Sequence, residues 1–179
     1  MRCGMKGYSP AGRNMLESIK KLVAWLVAEG ALAMDRITVA SLLERYQAGM
    51  VSFRFDPKDQ TRIIAVCVAW PTKDAATLEL GSVSVHEDFR ENRLSEAERN
   101  DGHIPLSEQV FAECTQIIRD SDCQGIIFTC NKTVSNLAEK YGWKLDAAGD
   151  CQRVRSMFKL GPYHAKAEGS VPPIKFFCI

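Results

Sequence analysis

The sequence predicts an α/β (α+β) domain built on a mixed, mostly antiparallel sheet of about six strands with helices on both faces. Three observations predict it. Two segments of helical period open the chain. Three segments of strand period then follow one another through short links, which an antiparallel meander satisfies most economically. A strand–helix–strand crossover comes next, and that requires some parallel pairing and helices on both faces.

The elements can be justified in order. From about Asn14 to Glu29, apolar residues recur at Leu16, Ile19, Leu22, Val23 and Leu26, and Gly30 supplies a stop. Trp25 and Val27 widen the apolar surface, so this helix is covered on more than one side. A second helix runs from about Thr38 to Gln47 with Val39, Leu42, Leu43 and Tyr46 as its stripe, and Gly49 ends it. The period then changes to two in Met50–Phe55. Asp56-Pro57-Lys58-Asp59 reads as a turn. Arg62 to Trp70 is a continuous β-rich run, and Ala76 to Val85 is a third strand. On that strand, period two puts Glu79, Gly81, Val83 and Val85 on one face. Residues 86–104 are polar without period, and residues 105–120 form a third helix. Gly125–Cys130 is a short buried strand, Val134–Tyr141 a fourth helix stopped by Gly142, and Trp143–Leu145 and Val154–Leu160 the final strands. Residues 1–13 read as an N-terminal arm and 14–160 as the domain. Residues 161–179 read as a tail whose apolar end, Ile174–Ile179, docks on this domain or on a second subunit, as in a homodimer.

Composition narrows the function. A chain of 179 residues suits one domain. Net charge is +1, so no global field draws nucleic acid or an anionic membrane. The seven cysteines show no C-x-x-C pair, and several lie in apolar runs. That argues against a disulfide framework or a zinc site and for a reducing compartment, the cytoplasm. Residues 1–10 lack the apolar core of a signal peptide. His86, His103 and Asp88 show no spacing that demands a metal.

One segment carries a resemblance. Val83-Ser84-Val85-His86-Glu87-Asp88-Phe89-Arg90 resembles the end of the fourth strand and the start of the phosphate loop of GNAT N-acetyltransferases. Downstream, Asn131 to Trp143 resembles that family's fifth-strand Asn and the helix that ends in Lys, a bulky residue, Gly and an aromatic. The resemblance implies a GNAT-like fold and acetyl-coenzyme A as cosubstrate. Backbone N–H groups at a helix start would take the pyrophosphate, and the pantetheine would lie in the cleft between two splayed strands as an added strand. It implies cofactor-binding roles for Val83, Val85, Arg90, Arg93, Ser95 and Asn131, with the Val85 N–H polarising the thioester carbonyl.

The sequence also departs from the family pattern. Arg93 and Ser95 stand at the two glycine positions, Glu96 to His103 intervene before the third helix, and Ala138 stands where the family carries a Tyr acid. Residues 1–13 offer no candidate for the family's first strand. Acetyl transfer to an amine needs a proton acceptor. Glu79 is the candidate general base, eleven residues before Arg90, against a solvent-facing strand residue. Tyr141 reads as a packing residue, and Asn131 reads equally as a helix cap. Two functions follow: an acyl-coenzyme A-dependent N-acyltransferase acting on a small-molecule or protein amine, or a non-catalytic GNAT-like binding or assembly protein. The shortness of the match also leaves an unrelated α/β fold open.

Overall fold

Helix α1, Met15–Ala28, turns Ile19, Leu22 and Leu26 inward at helical spacing. The structure is a computed structural model and describes residues 15–29, 36–73, 76–91, 103–129, 131–146 and 175–179. The expected N-terminal arm, the strand Val154–Leu160, and Arg93, Ser95 and Cys130 lie outside the described residues. Helix α2, Val39–Gln47, starts at a capping box in which Thr38 and Ser41 each satisfy the other's backbone N–H. It is followed by Gly49 at φ +71°, a conformation that costs glycine nothing.

Strands β1 (Val51–Phe55), β2 (Ile63–Pro71) and β3 (Thr77–Val85) form the expected antiparallel meander. Helix α3, Leu106–Arg119, then crosses to β4, Gln124–Thr129, which pairs parallel to β3. Helix α4, Lys132–Lys140, leads to the short β5, Lys144–Leu145, and the chain ends in β6, Lys175–Cys178. Among the described residues six strands form one sheet, in the order β1-β2-β3-β4-β6-β5. The last strand therefore sits inside the sheet, antiparallel to both β4 and β5. Its anchor is Gly125, which exchanges backbone hydrogen bonds with Ile179 at 3.2 and 3.0 Å.

β2 explains the layering. Ala65, Cys67 and Ala69 pack with Val110, Phe111, Cys114 and Ile118 of α3, while Val66, Val68 and Trp70 pack with α1 and α2. A strand buried on both faces reads as a continuous apolar run, as this one does.

Candidate active site

β3 and β4 pair only over Thr77–Glu79 and Gln124–Ile126. Beyond that point β3 runs on to Val85 and β4 to Thr129 without pairing to each other. The cause lies in β3. Val68 faces Gly81 and Val66 faces Ser84, so Ser82 and Val83 together oppose Cys67. This is a bulge, and Ser82 occupies the left-handed region at φ 55°. Its Oγ accepts a hydrogen bond from Trp70 Nε1 at 3.1 Å. A bulged strand bends, and this one bends where its parallel neighbour is lost.

The bulge corrects the expectation that Glu79 shares a face with Val83 and Val85. Leu78 and Leu80 face α3 and α4, whereas Glu79 pairs with Trp70 on the face of α1 and α2. After the extra residue, Val83 and Val85 pack on the α3–α4 side.

The backbone beyond the bulge is aimed into the gap. The His86 N–H donates to the Ile64 carbonyl at 2.8 Å, which makes Ala65 and Val85 a non-hydrogen-bonded pair. The Val85 peptide groups therefore point away from β2, and those of Val83, two residues back, point the same way. A cavity of about 360 Å³ occupies this region, lined among others by Val83, Val85, Arg90, Leu106, Asn131 and Val134.

Pro105 and the first turn of α3 form one wall of that cavity. Pro105 is the N-cap residue and supplies no side-chain cap. The first N–H groups of α3 therefore lack intrahelical partners and carry the positive end of the helix dipole toward the cavity. Glu108, in that same turn, is engaged elsewhere. Its Oε1 accepts from Lys140 Nζ at 2.6 Å and from Tyr141 Oη at 2.9 Å. The Lys140 hydrogen bond foremost holds its carboxyl below the usual range. Tyr141 also packs against Phe111, ring centroids 5.9 Å apart, and Ala138 is fully buried. Neither is among the residues that line the cavity.

Asn131 is the N-cap of α4: its Oδ1 accepts from the N–H groups of Thr133 and Val134 at 2.8 and 3.3 Å. The oxygen is thus committed to the helix, and the side-chain NH2 remains to meet a ligand. Arg90 follows the 3-10 turn Glu87–Phe89. Its Nε donates to the Val85 carbonyl at 3.0 Å, and its Nη2 pairs with Glu29 Oε2 at 2.8 Å. Arg62 steadies this turn by donating to Asp88 Oδ2 at 3.0 Å, with its guanidinium 5.7 Å from the Phe89 ring centroid. Sequence reasoning missed Arg62: Asp88 lies 26 residues away, and nothing in the turn marks the nearer Asp56 as its other carboxylate partner.

Glu79 is 6% exposed, and burial holds its carboxyl above the usual range although Arg36 opposes the shift. Arg36 Nη1 bonds directly to Glu79 Oε2. Arg36 was also missed, because nothing in its own neighbourhood marks it. Among the described residues, no group of three or more His, Cys, Asp or Glu could hold a metal ion. No helix among them is long and apolar enough to cross a membrane.

No protein-family model matches the chain, and no curated protein matches it in sequence. Solved structures do match. Rv2747 from Mycobacterium tuberculosis, in complex with CoA and NLQ, superposes at TM-score 0.57 with 9% identity, over 92% of this chain and 94% of that one. N-acetylglutamate synthase from Neisseria gonorrhoeae, complexed with coenzyme A and N-acetyl-glutamate, gives 0.51 with 14% identity. That match covers 93% of this chain but only 32% of the synthase chain. A GNAT-family acetyltransferase from Staphylococcus aureus gives 0.50 with 10% identity over 93% and 92%. The chain therefore has the fold of the GNAT acetyltransferases.

Proposed function

We propose that this protein is an acyl-coenzyme A-dependent N-acyltransferase that moves an acetyl group to an amine by direct attack. The observation that carries the reading is the unpaired edge of β3 beside the uncapped N-terminus of α3. An extended pantetheine amide fits that edge as an added strand, pairing with Val83 and Val85. A pyrophosphate fits the free N–H groups of α3 and the Arg90 guanidinium. Arg93 and Ser95 belong to the proposal as further side-chain ligands of the phosphates, and the Asn131 NH2 as a donor to the pantetheine. The M. tuberculosis and N. gonorrhoeae structures of this fold both contain coenzyme A, which supports the same cosubstrate here.

The chemistry follows from the residues. The amine lone pair attacks the thioester carbon, the C–N bond forms, the C–S bond breaks, and coenzyme A leaves as the thiolate. A backbone N–H of β3 stabilises the carbonyl oxygen as it gains charge. The proton lost by the attacking nitrogen passes to Glu79. Strand geometry constrains this step. Six residues separate Glu79 from Val85, roughly 20 Å at about 3.3 Å per residue, and four separate it from Val83, roughly 13 Å. Val83 is therefore the better placed polarising donor, with Val85 pairing the pantetheine.

A second reading, a GNAT-fold protein without coenzyme A chemistry, is favoured by one observation: Arg90 is tied to Glu29 and to the Val85 carbonyl. Isothermal titration with acetyl-coenzyme A and coenzyme A separates the two. Micromolar binding supports the transferase. No binding at millimolar ligand overturns it and leaves a scaffold protein. The acceptor, a small-molecule or protein amine, and a cytoplasmic location belong to the same proposal.

A further inference from the structure

Glu79 and Arg36 form an incomplete pair. Among the carboxylate oxygens only Oε2 is used, by Arg36 Nη1, and Oε1 has no partner. Oε1 has room because residue 81 is glycine: a Cβ there would lie 3.3 Å from Glu79 Oε1 and 3.4 Å from Trp70 Cδ1. On the other side, Arg36 is 37% exposed and commits only Nη1, so Nη2 and Nε remain to donate. Its backbone is fixed, because its carbonyl accepts from the Thr38 N–H at 3.2 Å and from Ser41 Oγ at 2.5 Å. Unused donors of Arg36 therefore stand beside a carboxylate oxygen of Glu79 that lacks a donor.

We propose that the Arg36–Glu79 pair is the acceptor subsite and selects a small zwitterion, an amine carrying a carboxylate on a neighbouring carbon, as in an α-amino acid. The inference rests on the transferase reading above. Glu79 Oε1 receives the ammonium, and the free edge of Arg36 receives the carboxylate in bidentate fashion. The charge arithmetic selects the class. The pair is neutral in sum, so an amine without an anion brings a second positive charge beside the guanidinium. A zwitterion presents opposite charges to each half. The ammonium releases one proton to solvent before attack, and the second goes to Glu79 as the amide forms.

The test uses the purified full chain with acetyl-coenzyme A as donor and follows coenzyme A release. The probes are the standard α-amino acids, each paired with its decarboxylated amine. The expected result is turnover of at least one amino acid, with kcat/KM for its amine lower by about tenfold or more, the loss of one charge-assisted hydrogen bond. Arg36→Gln should erase most of that discrimination, and Arg36→Lys, which keeps the charge without the fork, should retain part of it. Both variants should keep wild-type affinity for coenzyme A, a control on folding and on the cleft. Amines reacting as fast as their amino acids would overturn the inference. So would the absence of any reactive amino acid in a protein that binds acetyl-coenzyme A, and in both cases the transferase reading stands. Failure to bind acetyl-coenzyme A overturns both.

Discussion

Replacing Glu29 with Gln removes the carboxylate that competes with a phosphate for Arg90. In the structure Arg90 Nη2 sits 2.8 Å from Glu29 Oε2, with the two side chains 48% and 29% exposed. A solvent-screened pair of this kind contributes only ~0.2–1 kcal/mol. Arg90 must leave it to reach a pyrophosphate, so that energy is subtracted from binding. Converted at about 1.4 kcal/mol per decade, Glu29→Gln should tighten coenzyme A binding by roughly 1.4- to 5-fold. The gain should shrink as salt rises, since screening already weakens the competitor. Titration calorimetry on wild type, Glu29→Gln, Arg90→Ala and the double variant reads this directly. Arg90→Ala should weaken binding, and Glu29→Gln should do nothing in its background. If Glu29→Gln weakens binding or leaves it unchanged while Arg90→Ala weakens it, Arg90 keeps both partners and the competition argument is wrong.

Asn131 separates a structural role from a ligand role: Asn131→Ala should cost about 1 kcal/mol of stability as a lost cap. Asn131→Asp should keep the melting temperature yet weaken coenzyme A binding, because it retains the capping oxygen and loses the NH2. At Gly125 a Cβ would lie 2.6 Å from Ile179 Cγ2, 2.7 Å from Ile118 Cγ2 and 2.9 Å from Trp143 Cη2. Gly125→Ala should therefore cost ~1–3 kcal/mol by overpacking. Thermal melts should show a drop of several degrees, with partial recovery when Ile179→Ala is added. Glu79, whose folded pKa is raised mainly by burial, should give kcat/KM a limb that rises with pH above the range of a free glutamate. That limb should vanish in Glu79→Gln. The linkage has a definite sign: with the folded pKa above the unfolded one, the stability from Glu79 is fully present below the unfolded value. It is lost as pH rises through the folded value. Urea midpoints of wild type should fall across that window relative to Glu79→Gln.

The elements that local pattern can specify were legible. The stripes Ile19-Leu22-Leu26 and Val110-Phe111-Cys114-Ile118 place α1 and α3, and the apolar run Ile63–Trp70 places β2. The expected fourth helix, Val134–Tyr141, is observed as Lys132–Lys140, because Asn131 starts it earlier. What failed to show is what depends on distant partners. Ile174–Ile179 read as a docking tail after a Pro- and Gly-rich stretch, yet Lys175–Cys178 is an inner strand. Its neighbours β4 and β5 lie far back in the sequence, so no turn signal announces the pairing. Arg36 escaped notice for the same reason, since its carboxylate partner is Glu79, and so did the contact of Arg62 with Asp88, although Arg62 also pairs with the nearer Asp56. The uncapped start of α3 was not anticipated; Pro105 at its N-cap has no side-chain oxygen to cap with.

The face of Glu79 was lost at a single residue. Period two holds along β3 only while the strand is regular, and Ser82 at φ 55° breaks it. Such a conformation costs a non-glycine residue on the order of 1–3 kcal/mol, and here the arrangement around it accounts for what that strain accompanies. Were β3 regular, Glu79, Val83 and Val85 would share one face, and nothing in the strand itself would turn it away from β4 after Glu79. With the extra residue, one strand serves two sides of the sheet. Its first half aims a buried carboxylate at α1 and α2, where Arg36 waits. Its second half turns Val83 and Val85 toward the gap beside α3, where the Val85 carbonyl already accepts from Arg90 Nε. Under the transferase reading proposed above, an amine and a thioester come together from different directions, and this bulge gives each its own approach along one strand.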